Sequence, residues 1–165
     1  MPKKARLNRV AEDSVNYFRN GLYCSEAILK AFNQHYKLGL PDEFLKIATG
    51  FGAGLGASKC CCGSITGGVM VLSLVHGRSQ EEDPETDAFD AVAELHKRFK
   101  KEFKASCCKV LTRPVEWGSP EHHEFCEKYV LRAAEITDEI LKARKKLKAK
   151  KSKSRVEPAD KNKEV

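Results

Sequence analysis

No apolar stretch of the chain approaches the roughly 20 residues that a membrane-spanning helix needs. The longest run is Val69 to Leu72, continued beyond Ser73 only by Leu74 and Val75. Period-two alternation of apolar and polar residues is also lacking, and the β-branched residues are scattered, which argues against a sheet and predicts an all-α chain. There is no Cys-x-x-Cys, which speaks against thioredoxin-type exchange and against zinc-ribbon spacing. A Gly-Lys-Ser/Thr phosphate loop is absent as well. Gly52-x-Gly54-x-x-Ala57 matches the loose dinucleotide fingerprint, but no strand precedes it and no acidic residue follows about 20 positions on. The basic start Met1-Pro2-Lys3-Lys4-Ala5-Arg6 leads to Glu12-Asp13 without an apolar leader segment, so the expectation is a cytoplasmic protein. Seven cysteines in 165 residues fall well below the roughly 8–10% of a disulfide scaffold. In a reducing compartment an odd count points to thiol or metal chemistry instead.

What is present suits one soluble domain. A chain of 165 residues, 41% hydrophobic and 32% charged, buries a sizeable core without staples. Its net charge of +7 is unevenly placed. From Lys142 to Val165 there are eleven basic residues against Glu157, Asp160 and Glu164, a balance of +8 that leaves −1 for everything before. The basic character therefore describes a tail. Lys148 to Arg155 carries no aromatic residue and reads as a solvated or disordered end, which argues against a nucleic-acid partner.

The helical pattern predicts a first helix over Arg9 to Arg19, stopped by Asn20-Gly21, and a second from Cys24 to Tyr36. Pro41 opens a short third through Phe44, Leu45 and Ile47. Glycine at every second position from Gly50 to Gly56 implies a loop in which backbone bends or is closely approached. Gly63 to His76 is apolar on every face and is expected to be the central, buried helix. A fifth helix is expected to begin with Asp83 as cap and Pro84 at its first position, with Ala88, Val92, Leu95, Phe99 and Phe103 as its apolar stripe. Ser119-Pro120-Glu121 starts a sixth, which carries Phe125, Tyr129, Ala133, Ile136 and Ile140.

Cys24 opens the second helix and Cys62 the fourth, where the positive end of a helix dipole favours thiolate. Cys108 lies past the fifth helix, near Lys100, Lys101, Lys104 and Lys109, and Cys126 is expected to face inward from the sixth. Four thiols on four elements meet only if the bundle folds around them. Vicinal pairs such as Cys107-Cys108 are poor disulfides, because neighbouring Cα atoms lie about 3.8 Å apart and a disulfide wants about 4.4–6.8 Å. His122 and His123 precede Cys126 by four and three residues, which makes either one a candidate ligand or acid–base partner.

The run Gly21-Leu22-Tyr23-Cys24-Ser25-Glu26-Ala27, the loop Thr49-Gly50-Phe51-Gly52-Ala53-Gly54, the segment Cys62-Gly63-Ser64-Ile65-Thr66-Gly67, then Cys108-Lys109-Val110-Leu111 and Cys126-Glu127-Lys128-Tyr129 occur in that order. Together they resemble the C-GCAxxG-C-C family of redox-active proteins over about residues 10–140. The resemblance implies a small helical redox domain whose four family cysteines are Cys24, Cys62, Cys108 and Cys126. The same domain looks to be shared with split-Soret cytochromes, which implies an iron–sulfur cofactor. Ser64 departs from the family alanine, and Cys60, Cys61 and Cys107 are extra.

The resulting expectation is an all-α bundle of five or six helices over residues 9–147, with a basic, disordered tail over 148–165. Cys24, Cys62, Cys108 and Cys126 would hold an iron–sulfur centre or related metal for electron transfer to a redox partner protein. Gly52, Gly54 and Gly63 would supply backbone N–H groups to offset the thiolate charge. A metal-free thiol–disulfide protein and a zinc-stabilised helical adaptor are the alternatives, and homo-oligomerisation stays open.

Overall fold

The computed structural model describes residues 8–154, with side chains as far as residue 146. Among the described residues there is no strand, and seven right-handed helices follow one another: α1 Arg9–Arg19, α2 Cys24–Tyr36, α3 Glu43–Thr49, α4 Gly63–His76, α5 Thr86–Phe103, α6 Cys108–Leu111 and α7 Pro120–Ser154. The fold is all-α, as expected. The count exceeds five or six because Cys108 opens a one-turn helix of its own instead of trailing α5. α5 begins at Thr86, because the Asp83 carboxylate accepts from the N–H groups of Ser79 and Gln80 and so closes a turn ahead of the helix. The backbone of α7 is helical to Ser154; of the expected tail, residues 155–165 lie outside the described residues. No helix among those described is long and apolar enough to cross a membrane.

The long helices close a ring, α1 on α2, α2 on α4, α4 on α5, α5 on α7 and α7 back on α1, with α4 also packed on α7 across the middle. α4 can take this place because its small residues admit neighbours. A β-carbon on Gly67 would stand 3.1 Å from the Ser25 backbone of α2, and one on Gly68 would meet Thr137 Oγ1 of α7 at 2.6 Å and Leu95 of α5 at 2.7 Å. The core it completes includes Phe32, Leu72, Leu95, Phe99, Ile136 and Ile140, each fully buried and each contributing about 1.5–3 kcal/mol. α4 is not buried all round: its last turns leave Leu74 and Val75 exposed, with Leu74 beside a groove that it shares with Phe44 and Ile47 of α3.

One polar knot fastens three helices. Asp138 of α7 is buried and accepts from Asn8 Nδ2 at 2.9 Å, from the Tyr36 hydroxyl and from Lys142 Nζ at 2.5 Å. It thereby joins the cap of α1 and the last turn of α2 to α7. Burial, with the carboxylate beside it, pushes the Tyr36 hydroxyl well above its ordinary range, so it stays a donor. Asp138→Ala is expected to cost about 2 kcal/mol, since it removes the shared acceptor of a half-buried hydroxyl and amide, with Asp138→Asn costing less. Urea unfolding followed by circular dichroism measures both.

Candidate functional site

Three helix beginnings and one irregular turn converge at one end of the bundle. At the start of α2 the Tyr23 N–H donates to Glu26 Oε2 at 2.7 Å, and the other Glu26 oxygen accepts from Thr49 Oγ1 at 2.5 Å. The Glu26 side chain thereby caps the helix with Cys24 as its first residue and ties it to the end of α3. Cys62 caps α4 with extended backbone, and its own N–H donates to the Ser106 carbonyl at 2.8 Å. Cys108 begins α6, whose last carbonyl, Leu111, accepts from the Tyr129 hydroxyl of α7 at 2.9 Å.

Between α3 and α4 the expected glycine loop winds into a left-handed turn. Ala53 (φ 49°, ψ 28°) and Gly54 (φ 71°, ψ 61°) are left-handed, and Leu55, Gly56 and Ala57 follow at φ 60°, 57° and 64°. The Gly56 N–H closes it on the Gly52 carbonyl at 3.1 Å. Such backbone is disfavoured by roughly 1–2 kcal/mol at each non-glycine residue, so the surroundings must enforce it. They do so by contact: a β-carbon on Gly54 would lie 2.9 Å from the Lys59 and Cys60 backbone, and one on Gly52 would lie 2.6 Å from the Tyr23 side chain. Gly63 is the tightest of all, with a β-carbon there falling 2.2 Å from Cys24 Sγ.

Cys24, Cys62, Cys108 and Cys126 all line one cavity of about 310 Å³. Its remaining wall includes Phe18, Tyr23, Ala53, Ala57, Trp117, His122, His123 and Tyr129. Backbone donors reach the sulfurs: Ala53 and Ser25 N–H to Cys24, Gly63 N–H to Cys108, and Ser64 and Ile65 N–H to Cys62. Of the three glycines expected to supply N–H groups, Gly63 directs its N–H at Cys108, and a β-carbon on Gly52 or Gly54 would meet Tyr23 or residues 59–60. Cys60 is exposed and Cys61 and Cys107 are half-buried, and none of the three lines the cavity. Among the described residues no three His, Cys, Asp or Glu side chains stand close enough together to hold a metal ion as arranged.

The sulfurs do not share one charge state. Cys62 is held below the ordinary thiol range by a hydrogen bond from Cys108 and by the α4 N–H groups, against the cost of its burial. Cys108 is pushed up by the same bond, by burial and by the Cys62 charge, so the proton of the pair resides on Cys108. Those two sulfurs, Cys62 and Cys24, act on Cys108 more strongly than the lysines expected near it. Cys24, also at a helix start, goes the opposite way to expectation, because burial and the neighbouring Cys62 charge outweigh the N–H donors. Cys126 is raised to about 12 by burial and by Cys62.

His122 is placed more specifically than its spacing suggested. The Gly118 N–H donates to its Nδ1 at 3.4 Å, which leaves Nε2–H to face Cys126 Sγ at 3.7 Å. Burial, His123 and Lys59 lower its pKa, so the imidazole is neutral. Its ring lies 4.4 Å from Trp117, over which Lys59 Nζ sits at 4.5 Å. His123 stacks on Phe18 at 4.0 Å. Trp117, Tyr23 and the Ala53 N–H are wall residues that sequence reasoning did not single out. Only the alternating glycines pointed near Ala53.

The family model described as "Putative redox-active protein (C_GCAxxG_C_C)" matches residues 22–140. The chain belongs to this family. The matched span holds all four cavity cysteines, the left-handed turn and His122. No curated protein and no solved structure matches the chain.

Gly63→Ala is expected to displace the Cys24 sulfur and cost more than about 2 kcal/mol, because neither the α4 backbone nor a buried first-turn thiol can yield cheaply. Thermal melting with thiol labelling of Cys24 checks it. In Cys62→Ser, Cys126 loses a neighbouring negative charge and keeps its burial, so its pKa should fall from about 12 towards the ordinary thiol value. Ultraviolet thiolate absorbance against pH, on metal-free protein, reads the change.

Proposed function

We propose that Cys24, Cys62, Cys108 and Cys126 together hold an iron–sulfur centre, or a related metal, and that the protein exchanges electrons with a partner protein in the reducing cytoplasm. The observation that carries this reading is the presence of all four sulfurs on one cavity wall, on α2, α4, α6 and α7. The donor set suits it, being soft thiol ligands with backbone N–H groups already directed at three of the sulfurs. The volume, about 310 Å³, exceeds what a bare ion fills, and the sulfurs are spread around it instead of being gathered at one point. Such a centre, when bound, supplies one-electron transfer at a potential set by its ligands, hydrogen bonds and burial.

The residues of the chain do the rest. Ala53, Gly63, Ser64 and Ile65 stabilise negative charge on sulfur through their N–H groups, and His122 presents Nε2–H to Cys126. Phe18, Trp117 and Tyr129 exclude water from the cavity. Because Cys24, Cys108 and Cys126 are protonated in the metal-free protein, loading releases protons, and affinity is expected to fall as pH is lowered.

The hydrogen-bonded Cys62–Cys108 pair favours a second reading, thiol–disulfide exchange. There the Cys62 thiolate attacks a substrate disulfide, Cys108 resolves it, and two electrons and two protons pass to the substrate.

Anaerobically purified protein is expected to absorb in the visible and to contain iron and sulfide. Cys24→Ser, Cys62→Ser, Cys108→Ser and Cys126→Ser should each lose most of the metal, and Cys60→Ser should keep it. Retention in all four single variants overturns a shared site. Colourless protein carrying zinc identifies the adaptor alternative, and metal-free protein that cycles a Cys62–Cys108 disulfide identifies exchange.

A further inference from the structure

Three cysteines lie outside the cavity, on the two segments that lead into it. The Cys62 N–H donates to the Ser106 carbonyl at 2.8 Å, and the Lys109 N–H donates to the Lys59 carbonyl at 3.0 Å. The segments 59–62 and 106–109 therefore pass antiparallel, and counting inward from either bond sets Cys61 opposite Cys107. Cys107 Sγ adds a third tie, donating to the Lys59 carbonyl at 3.1 Å. Cys61 and Cys107 are both half-buried, and the Cys107 sulfur is close enough to Cys61 for its charge to act there.

We propose that Cys61 and Cys107 form a second, outer redox site, a dithiol that exchanges with small-molecule disulfides and closes a bond across the two segments bearing Cys62 and Cys108. The two backbone hydrogen bonds bracket Cys61 and Cys107, so a disulfide, which accepts Cα atoms about 4.4–6.8 Å apart, would join residues already held side by side, at an irregular crossing where Lys59 (φ 60°) and Cys61 (φ 55°) are left-handed. The other pairings fail on geometry. Cys60 with Cys61 and Cys107 with Cys108 are vicinal and strained. Cys60 faces Cys108 in the same register, but Cys60 is exposed and the Cys108 sulfur lines the cavity. In the exchange one outer thiolate attacks the small disulfide and expels one thiol, leaving a mixed disulfide. The second outer thiolate then attacks the protein sulfur and expels the other thiol. Two protein thiols are oxidised, one small disulfide is reduced to two thiols, and the two protons leave with them. The bond adds a covalent tie to the two backbone hydrogen bonds that already hold Cys62 and Cys108 in register, so its state sets how far these segments part. This site does not depend on the cavity holding metal.

The test uses the full-length protein, reduced, equilibrated with oxidised and reduced glutathione, alkylated and mapped by fragment mass spectra. A Cys60→Ser background simplifies assignment. The expected result is a two-hydrogen loss that joins Cys61 to Cys107, at the same proportion in Cys126→Ser. Cys61→Ser should carry a glutathione adduct on Cys107 instead, and Cys107→Ser one on Cys61. A bond from either residue to another cysteine overturns the proposal, as does finding both alkylated separately after glutathione has modified Cys60 in the unsubstituted chain. Metal and sulfide content measured on the same samples separates the two readings. Cys61→Ser is expected to keep any metal, and a metal-free protein that still forms the Cys61–Cys107 bond supports the outer site while removing the iron–sulfur proposal.

Discussion

The Cys24 sulfur occupies the space that a side chain at residue 63 would need. That apposition of α2 and α4 determines much of what surrounds it. It brings the first turns of two helices together, so that donors from both face the same small volume. It also requires the chain arriving from α3 to pass around the pair, which it does by the left-handed turn at Ala53 to Ala57. With α2 and α4 joined so closely, α6 is reached through the 59–62 and 106–109 segments, and α7 closes the fourth side through Tyr129 and Cys126. The remainder of the bundle, including the Asp138 knot at α1, α2 and α7, holds this arrangement without touching the cavity.

Crowding sulfur in this way has an electrostatic consequence. Buried thiolates repel one another and lose hydration, and only at Cys62 do the Cys108 hydrogen bond and the α4 N–H donors together outweigh this and lower the pKa. Cys24 and Cys108 have N–H donors too, yet burial and the Cys62 charge dominate at both. A cation placed among the sulfurs would reverse that balance, turning mutual repulsion into shared attraction. The site is therefore least comfortable when deprotonated and empty, and a metal bound there as proposed would be coupled to both proton release and folding.

Much of this was legible in the residues, and for identifiable reasons. The bounds of α1, α2 and α4 were legible in the Asn20-Gly21 stop, the periodic run from Cys24 to Tyr36 and the apolar run from Gly63 to His76, all of them local signals. The four cysteines stood out because Cys24 and Cys62 open helices beside glycines, Cys108 follows a helix end and Cys126 lies on a helix face. The start of α5 was misplaced because Asp83-Pro84 satisfies the same local pattern as a helix start, and only the nearby Ser79 and Gln80 N–H groups show where the carboxylate goes. The charge order of the thiols was not legible, since burial and sulfur–sulfur proximity are properties of the packed bundle. The same holds for Trp117, which comes from an irregular segment with no periodicity to read, and for the left-handed sense of the turn, which rests on alanine and leucine where local preference says otherwise.

That turn carries a further consequence. Ala53 and Ala57 keep methyl groups on the cavity wall in a backbone conformation that glycine would adopt with less strain. Glycine at either position would relax the chain and, at the same time, remove a piece of the wall. The strain is thus exchanged for two methyl-bearing residues in the cavity wall beside the sulfurs. The positions of those two methyl groups depend on handedness, so a change that leaves every sulfur in place could still reshape the wall around Cys24 and Cys62.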